Sequence, residues 1–142
     1  MKKTFLLGAA LLAAFILCLP ESRADSPRTK PVQPERIAHG QEVNIRDYLV
    51  PGKTVVFDFT SEFCPPCRAI APHLHKLHAE RDDVVVVEVD INRPGVQGID
   101  WGSPVATQYG LNSIPHFKVF SPDGQLQAEG KEARALVTSW FR

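Results

Sequence analysis

Apolar positions fall into blocks along this chain, and their spacing changes from block to block. Phe5 to Leu19 is an unbroken apolar run of about 15 residues, preceded by Lys2 and Lys3 and followed by Pro20 and Ser22-Arg23-Ala24. Residues 25–36 carry a proline every three or four positions among polar side chains. That composition buries no core and reads as an extended, mobile spacer. Ile37 to Val50 alternates weakly and predicts an edge strand and a short helix around Ile45, Tyr48 and Leu49, closed by a Pro51-Gly52 turn.

Thr54-Val55-Val56-Phe57-Asp58-Phe59 is β-branched and aromatic on both faces, which predicts a strand covered on two sides. Asp58 is out of place in it. Ala69, Ile70, Leu74 and Leu77 recur at helical spacing opposite Arg68, His75 and Lys76, so a helix follows, kinked by Pro72. Val84 to Val89 predicts a second buried strand ending at Asp90. Asn92 to Trp101, with Pro94, Gly95 and Gly98, is a loop. Ser103 as N-cap and Pro104 at the first helical position open a short helix that ends at Gly110. Ser113-Ile114-Pro115 enters a third strand, His116 to Phe120. Pro122-Asp123-Gly124 turns into a returning strand, Gln125 to Glu129, and Lys131 to Phe141 is a terminal helix. A parallel βαβ unit followed by a hairpin predicts an α/β fold, a mixed central sheet with helices on both faces.

With 142 residues the chain has room for one domain. The first apolar run falls short of the roughly 20 residues that a spanning helix needs. It reads as a secretory signal cut after Ala24, with a retained membrane anchor as the weaker alternative. Phe15-Ile16-Leu17 before Cys18 lacks the small residues of lipoprotein processing, so Cys18 is an apolar residue of that segment. The expected division is 1–24 signal peptide, 25–36 flexible linker and 37–142 folded domain, in a periplasmic or otherwise extracytoplasmic compartment. Without residues 1–24, the 16 cations and 16 anions fall to 13 and 15. No basic stripe suggests nucleic acid, no acidic run suggests a tail, and nothing demands more than a monomer.

The candidate chemistry lies in Phe63-Cys64-Pro65-Pro66-Cys67-Arg68, between the first buried strand and its helix. Two cysteines so close cannot staple distant parts of a fold, and closing so small a ring recovers little loop entropy. The pair is therefore read as reactive. Proline is tolerated in a first helical turn. A thiolate at a helix N-terminus gains from unpaired N–H groups and the helix dipole, so its pKa falls. The predicted reaction is thiol–disulfide exchange. A structural disulfide or half a zinc site is the plainer reading, but zinc wants four ligands and only two thiols remain. His73, His75 and His78 read as solvated helix positions, Trp101 and Tyr109 as core or loop packing, and Lys131, Glu132 and Arg134 as a solvated face.

From about residue 40 to its end the chain resembles the thioredoxin family. Asp58 lies six positions before the first cysteine, Cys64-Pro65-Pro66-Cys67 opens a helix, and Pro72 kinks it. Ile114-Pro115 precedes the third strand, and Asp123-Gly124 makes the hairpin. The resemblance implies a thioredoxin fold and a protein-disulfide reductase without a cofactor or metal. Cys64 would be the more exposed, attacking sulfur and Cys67 the buried, resolving one. Asp58, its pKa raised by burial, would exchange the Cys67 proton. Pro115 would be cis, with Ile114 pairing with an extended substrate segment flanked by Phe63, Pro65 and Pro66. A membrane electron donor would re-reduce the pair, and electrons would pass to exported proteins, for instance in cytochrome c maturation. Four positions depart from the family: Phe63 for tryptophan, Pro65 for glycine, Glu88 near the place of a lysine, and His116 for threonine. If Glu88 points inward it raises the Asp58 pKa further. His116 follows Pro115 and is expected beside the cysteines. A disulfide oxidant or isomerase is an alternative. So is a copper-binding metallochaperone domain with Cys64, Cys67 and His116 as ligands, or a redox-inert adhesion or chaperone module.

Overall fold

A computed structural model describes residues 26–142 of the chain; the expected signal peptide lies outside them. Five strands form one sheet in the order β1-β3-β2-β4-β5. The strands are β1 (Glu35–Ile37), β2 (Thr54–Thr60), β3 (Val84–Asp90), β4 (His116–Phe120) and β5 (Leu126–Glu129). The first three are mutually parallel, whereas β4 runs antiparallel to β2 and β5 to β4. This is the mixed sheet that the hydrophobic pattern predicts.

Alternation along the central strands divides the core in two. Val55, Phe57 and Phe59 of β2 and Val85, Val87 and Val89 of β3 join Ile45, Val105 and Phe120 on one face. That face is covered by a 3-10 turn, Ile45–Tyr48, and by α2 (Pro104–Gln108). Val56, Val84, Val86, Phe117 and Val119 form the other face, against Leu74 and Leu77 of α1 (Pro65–Glu80) and Ala133 and Val137 of α3 (Gly130–Thr138). Asp58 and Glu88 continue this second face at the ends of β2 and β3. They are Cα partners across the parallel ladder and are 1% and 7% exposed. Two carboxyl side chains therefore sit side by side where the pattern of valines stops.

Ser103 caps α2 as expected, its Oγ accepting from the Ala106 N–H. The terminal helix ends at Thr138, three residues before its expected limit. Trp101 is 43% exposed and packs no core, whereas Tyr109 donates to the Val43 carbonyl at 2.7 Å and braces the 3-10 turn.

The segment expected as a mobile linker is instead laid onto the domain, and the boundary placed at residue 37 cuts a strand. Glu35, Arg36 and Ile37 pair with Val87, Glu88 and Val89. Lys30 Nζ donates to the carbonyls of His78 and Arg81, at 2.5 and 2.8 Å, where the last turn of α1 has acceptors without helical partners. Arg28 pairs with Glu35 and lies over the Tyr48 ring. His78 is likewise not the solvated residue expected. It is 1% exposed, its Nδ1 accepting from the Val86 N–H and its Nε2 facing the Pro31 carbonyl at 2.9 Å. Four residues beyond Leu74, it falls on the same inward stripe. After β1 the chain turns through Gly40, whose φ is +81° and where a Cβ would lie 2.5 Å from the Arg93 nitrogen; only glycine fits.

Candidate active site

The turn from β2 into α1 places both sulfurs. Cys64 is the N-cap residue, with extended backbone, and its Sγ accepts from the Cys67 N–H at 3.2 Å. Pro65 and Pro66 fill the first helical positions, where a missing N–H leaves nothing unpaired. They also offer the sulfur no donor, so the Cys67 amide is the first that the helix supplies. Cys64 and Cys67 are joined by a disulfide with S–S 2.14 Å and Cα–Cα 5.2 Å.

Cys64 was expected to be the more exposed sulfur, but the two residues are 2% and 1% exposed. In the closed ring the Cys64 sulfur is held against Cys67 and lies 3.8 Å from the Ile114 carbonyl oxygen. The Ile114–Pro115 peptide is cis, and Pro115 is buried. What faces outward is the rim around the sulfurs: Pro65 and Pro66 are exposed, Phe63 and Ile114 half-buried. The residues expected to touch an extended peptide are thus gathered at one end of the sheet, with Cys64 just beneath them.

Cys67 lies on the stripe of α1 that carries Leu74 seven positions on, and so faces the sheet on the side of Asp58. Neither oxygen of Asp58 has a hydrogen-bond partner. Burial and, after it, the neighbouring Glu88 charge raise its pKa to about 8, with Arg36 opposing both. Glu88 is itself clamped. Its Oε2 accepts from Arg36 Nε of β1 at 3.0 Å, and its Oε1 meets His75 Nε2 of α1 at 2.8 Å. Arg36 also reaches Asp90 at 3.0 Å. His75, expected as merely solvated, is therefore engaged at this cluster, and Arg36 comes from the supposed linker.

His116 does not join the sulfurs. It is Cα partner of Phe59, packs its ring on Phe59, on the face opposite Asp58, and meets Glu129 Oε1 at 3.3 Å. The copper-ligand set of Cys64, Cys67 and His116 is not assembled. Among the described residues no group of three His, Cys, Asp or Glu side chains is placed to hold a metal ion.

A polar joint beside the cysteines was not legible. The Phe63 N–H donates to Ser61 Oγ, Ser61 Oγ donates to Asn92 Oδ1 at 2.6 Å, and the same Asn92 oxygen accepts from the Asp100 N–H. Arg93 closes the loop with a bidentate pair to Asp100, at 2.7 and 2.9 Å. The only sequence signal was Asn92-Arg93 directly after a buried strand.

The family model described as Thioredoxin matches residues 38–140. Thioredoxin of Chlamydia caviae is 33% identical over 94 residues, 66% of this chain and 76% of that protein. Thioredoxin-T of Drosophila melanogaster is 37% identical over 79 residues, 55% of this chain but only 45% of that protein. The structure is similar in fold to thioredoxin f from spinach chloroplast, with a TM-score of 0.53 and 24% identity, covering 76% of this chain and 90% of the other.

Proposed function

This chain belongs to the thioredoxin family, and from that premise we propose that it is a thiol–disulfide oxidoreductase that reduces disulfides of exported proteins through Cys64 and Cys67. The observation that carries the reading is the bonded cysteine pair at the cap of α1, with an unpartnered carboxyl on the sheet face beneath it. A buried carboxyl of this kind is costly to the fold and is expected where a proton must be stored.

In the reduced protein the Cys64 thiolate, accepting from the Cys67 N–H, attacks a substrate disulfide held along Ile114. One substrate sulfur leaves as thiolate, and a mixed disulfide forms. Cys67 then gives its proton to Asp58 in the fraction of molecules where that carboxyl is ionised, and attacks Cys64 Sγ. The second substrate sulfur leaves and is protonated. Two electrons have passed to the substrate, and the protein is left with the Cys64–Cys67 bond. A membrane electron donor supplies the two electrons that reopen it. Export rests on the Lys2-Lys3 start, the apolar run and Ser22-Arg23-Ala24. The near-neutral composition, without a basic stripe, favours protein partners over nucleic acid, and a monomer is enough for the exchange.

Trapping tests the reading. With Cys67→Ala the mixed disulfide on Cys64 persists, and partners are recovered that a reductant releases. If the variant, exported in a cell, captures no partner through Cys64, the reading fails.

A further inference from the structure

Glu88 is the Cα partner of Asp58 on β3, Arg36 continues the same row on β1, and Glu88 is held from two directions. Arg36 reaches it from the edge strand β1 and His75 from helix α1. The Glu88 side chain is only 10% exposed, whereas Arg36 and His75 are 39% and 49% exposed, so each pair joins a buried carboxylate to a partner that reaches solvent. We propose that Glu88 and Arg36, side by side in the row of Asp58 and with Glu88 held from α1 by His75, act on Asp58 as an opposed charge pair, so that the N-terminal strand helps set how tightly Asp58 keeps its proton. The inference rests on the proposed role of Asp58 but concerns only its proton.

Among the described residues, the charged groups of this cluster come from three elements. From β3 comes Glu88, with Asp90 bridged to it by Arg36. From β1 comes Arg36, with His39 3.7 Å from Asp90, and from α1 come His75 and Cys67. From β4 the Cα partner is Phe117, which is apolar and buried. An anion beside a desolvated carboxyl favours its protonated form, and a cation favours the ionised form. Glu88 and Arg36 therefore act in opposite senses on Asp58. Packing alone would give no such antisymmetry. A loosened edge strand would admit water and move Asp58 the same way whichever partner was removed.

The test follows the Asp58 carboxyl by its infrared C=O band, assigned by its loss in Asp58→Asn. It is carried out on the disulfide form, where neither thiol titrates and no exchange activity is needed. Glu88→Gln, nearly isosteric, lowers the proton affinity of Asp58 about tenfold or more, and Arg36→Gln raises it, as expected for a neighbouring charge. Arg36→Lys, which keeps the charge, stays near the parent and guards against an Arg36→Gln protein that does not fold. Opposite displacements, or a displaced Glu88→Gln with an undisplaced Arg36→Lys if Arg36→Gln cannot be prepared, support the inference. No displacement in Glu88→Gln, or displacement of Glu88→Gln and Arg36→Gln in the same sense, overturns it. The outcome is independent of whether Cys67→Ala traps a partner.

Discussion

Asp58 concentrates the conflict between folding and chemistry in one side chain. Its pKa rises from 3.8 to about 8, first because burial strips its water and next because Glu88 stands beside it. The folded protein therefore holds a proton that the unfolded chain has released. Stability from this group is complete below 3.8 and is lost as pH rises toward about 8. The slope over that interval is about 1.4 kcal/mol per pH unit. Asp58→Asn removes it. Urea denaturation of the disulfide form should find the variant more stable near pH 8 by a few kcal/mol, with the two proteins converging near the acid end. Parallel curves for variant and parent would show that Asp58 is ionised in both states. The same variant should slow release of a trapped substrate, because Cys67 loses its base. Asp58, Cys64 and Cys67 were legible because each interrupts or punctuates a regular apolar pattern. Arg36 and the Ser61–Asn92 joint were not, since they join residues 52 and 31 positions apart and no local pattern encodes them.

Among the elements, the two long strands and the helix between them follow directly from valine runs and helical spacing. The first strand was harder to read. Residues 26–36 offer little apolar surface, and what docks them is backbone pairing at a sheet edge, Lys30 on the end of α1, and one histidine. Edge pairing leaves no hydrophobic signature, so the composition suggested a spacer. His78 makes this attachment sensitive to acid. Its Nδ1 accepts from Val86, so the proton sits on Nε2, facing Pro31, and the ring is neutral. Burial lowers its pKa, with the nearby Lys30 charge acting in the same sense. The stability it contributes is complete above the ordinary imidazole value of 6.5 and is lost as pH falls below it. Amide exchange in residues 31–37, corrected for its intrinsic rate, should therefore quicken between about pH 7 and about pH 5. His78→Phe should abolish that dependence. Exchange that ignores pH in the parent would mean that the ring does not hold the segment.

For the whole molecule, the direction of electron flow follows from how well the open form is stabilised. A strongly oxidising dithiol owes its potential to a stabilised thiolate. Here Pro65 and Pro66 offer Cys64 no N–H, and the Cys67 amide is the donor it has. Fewer N–H donors to the Cys64 sulfur favour the reducing end. Equilibration with glutathione should give a potential nearer the thioredoxin value of about −270 mV than the about −120 mV of a strong oxidant. A value at the oxidising end would reverse the proposed direction and make the chain a donor of disulfides.

Lys30 also fixes how the molecule is oriented. It meets the last turn of α1, while Cys64 caps the first, and 16 helical residues separate the two ends by about 24 Å. The polypeptide thus comes onto the domain at the pole remote from the sulfurs. An anchor fastened upstream, on a bilayer or on another protein, would leave the reactive tip pointing outward, free to sweep for clients.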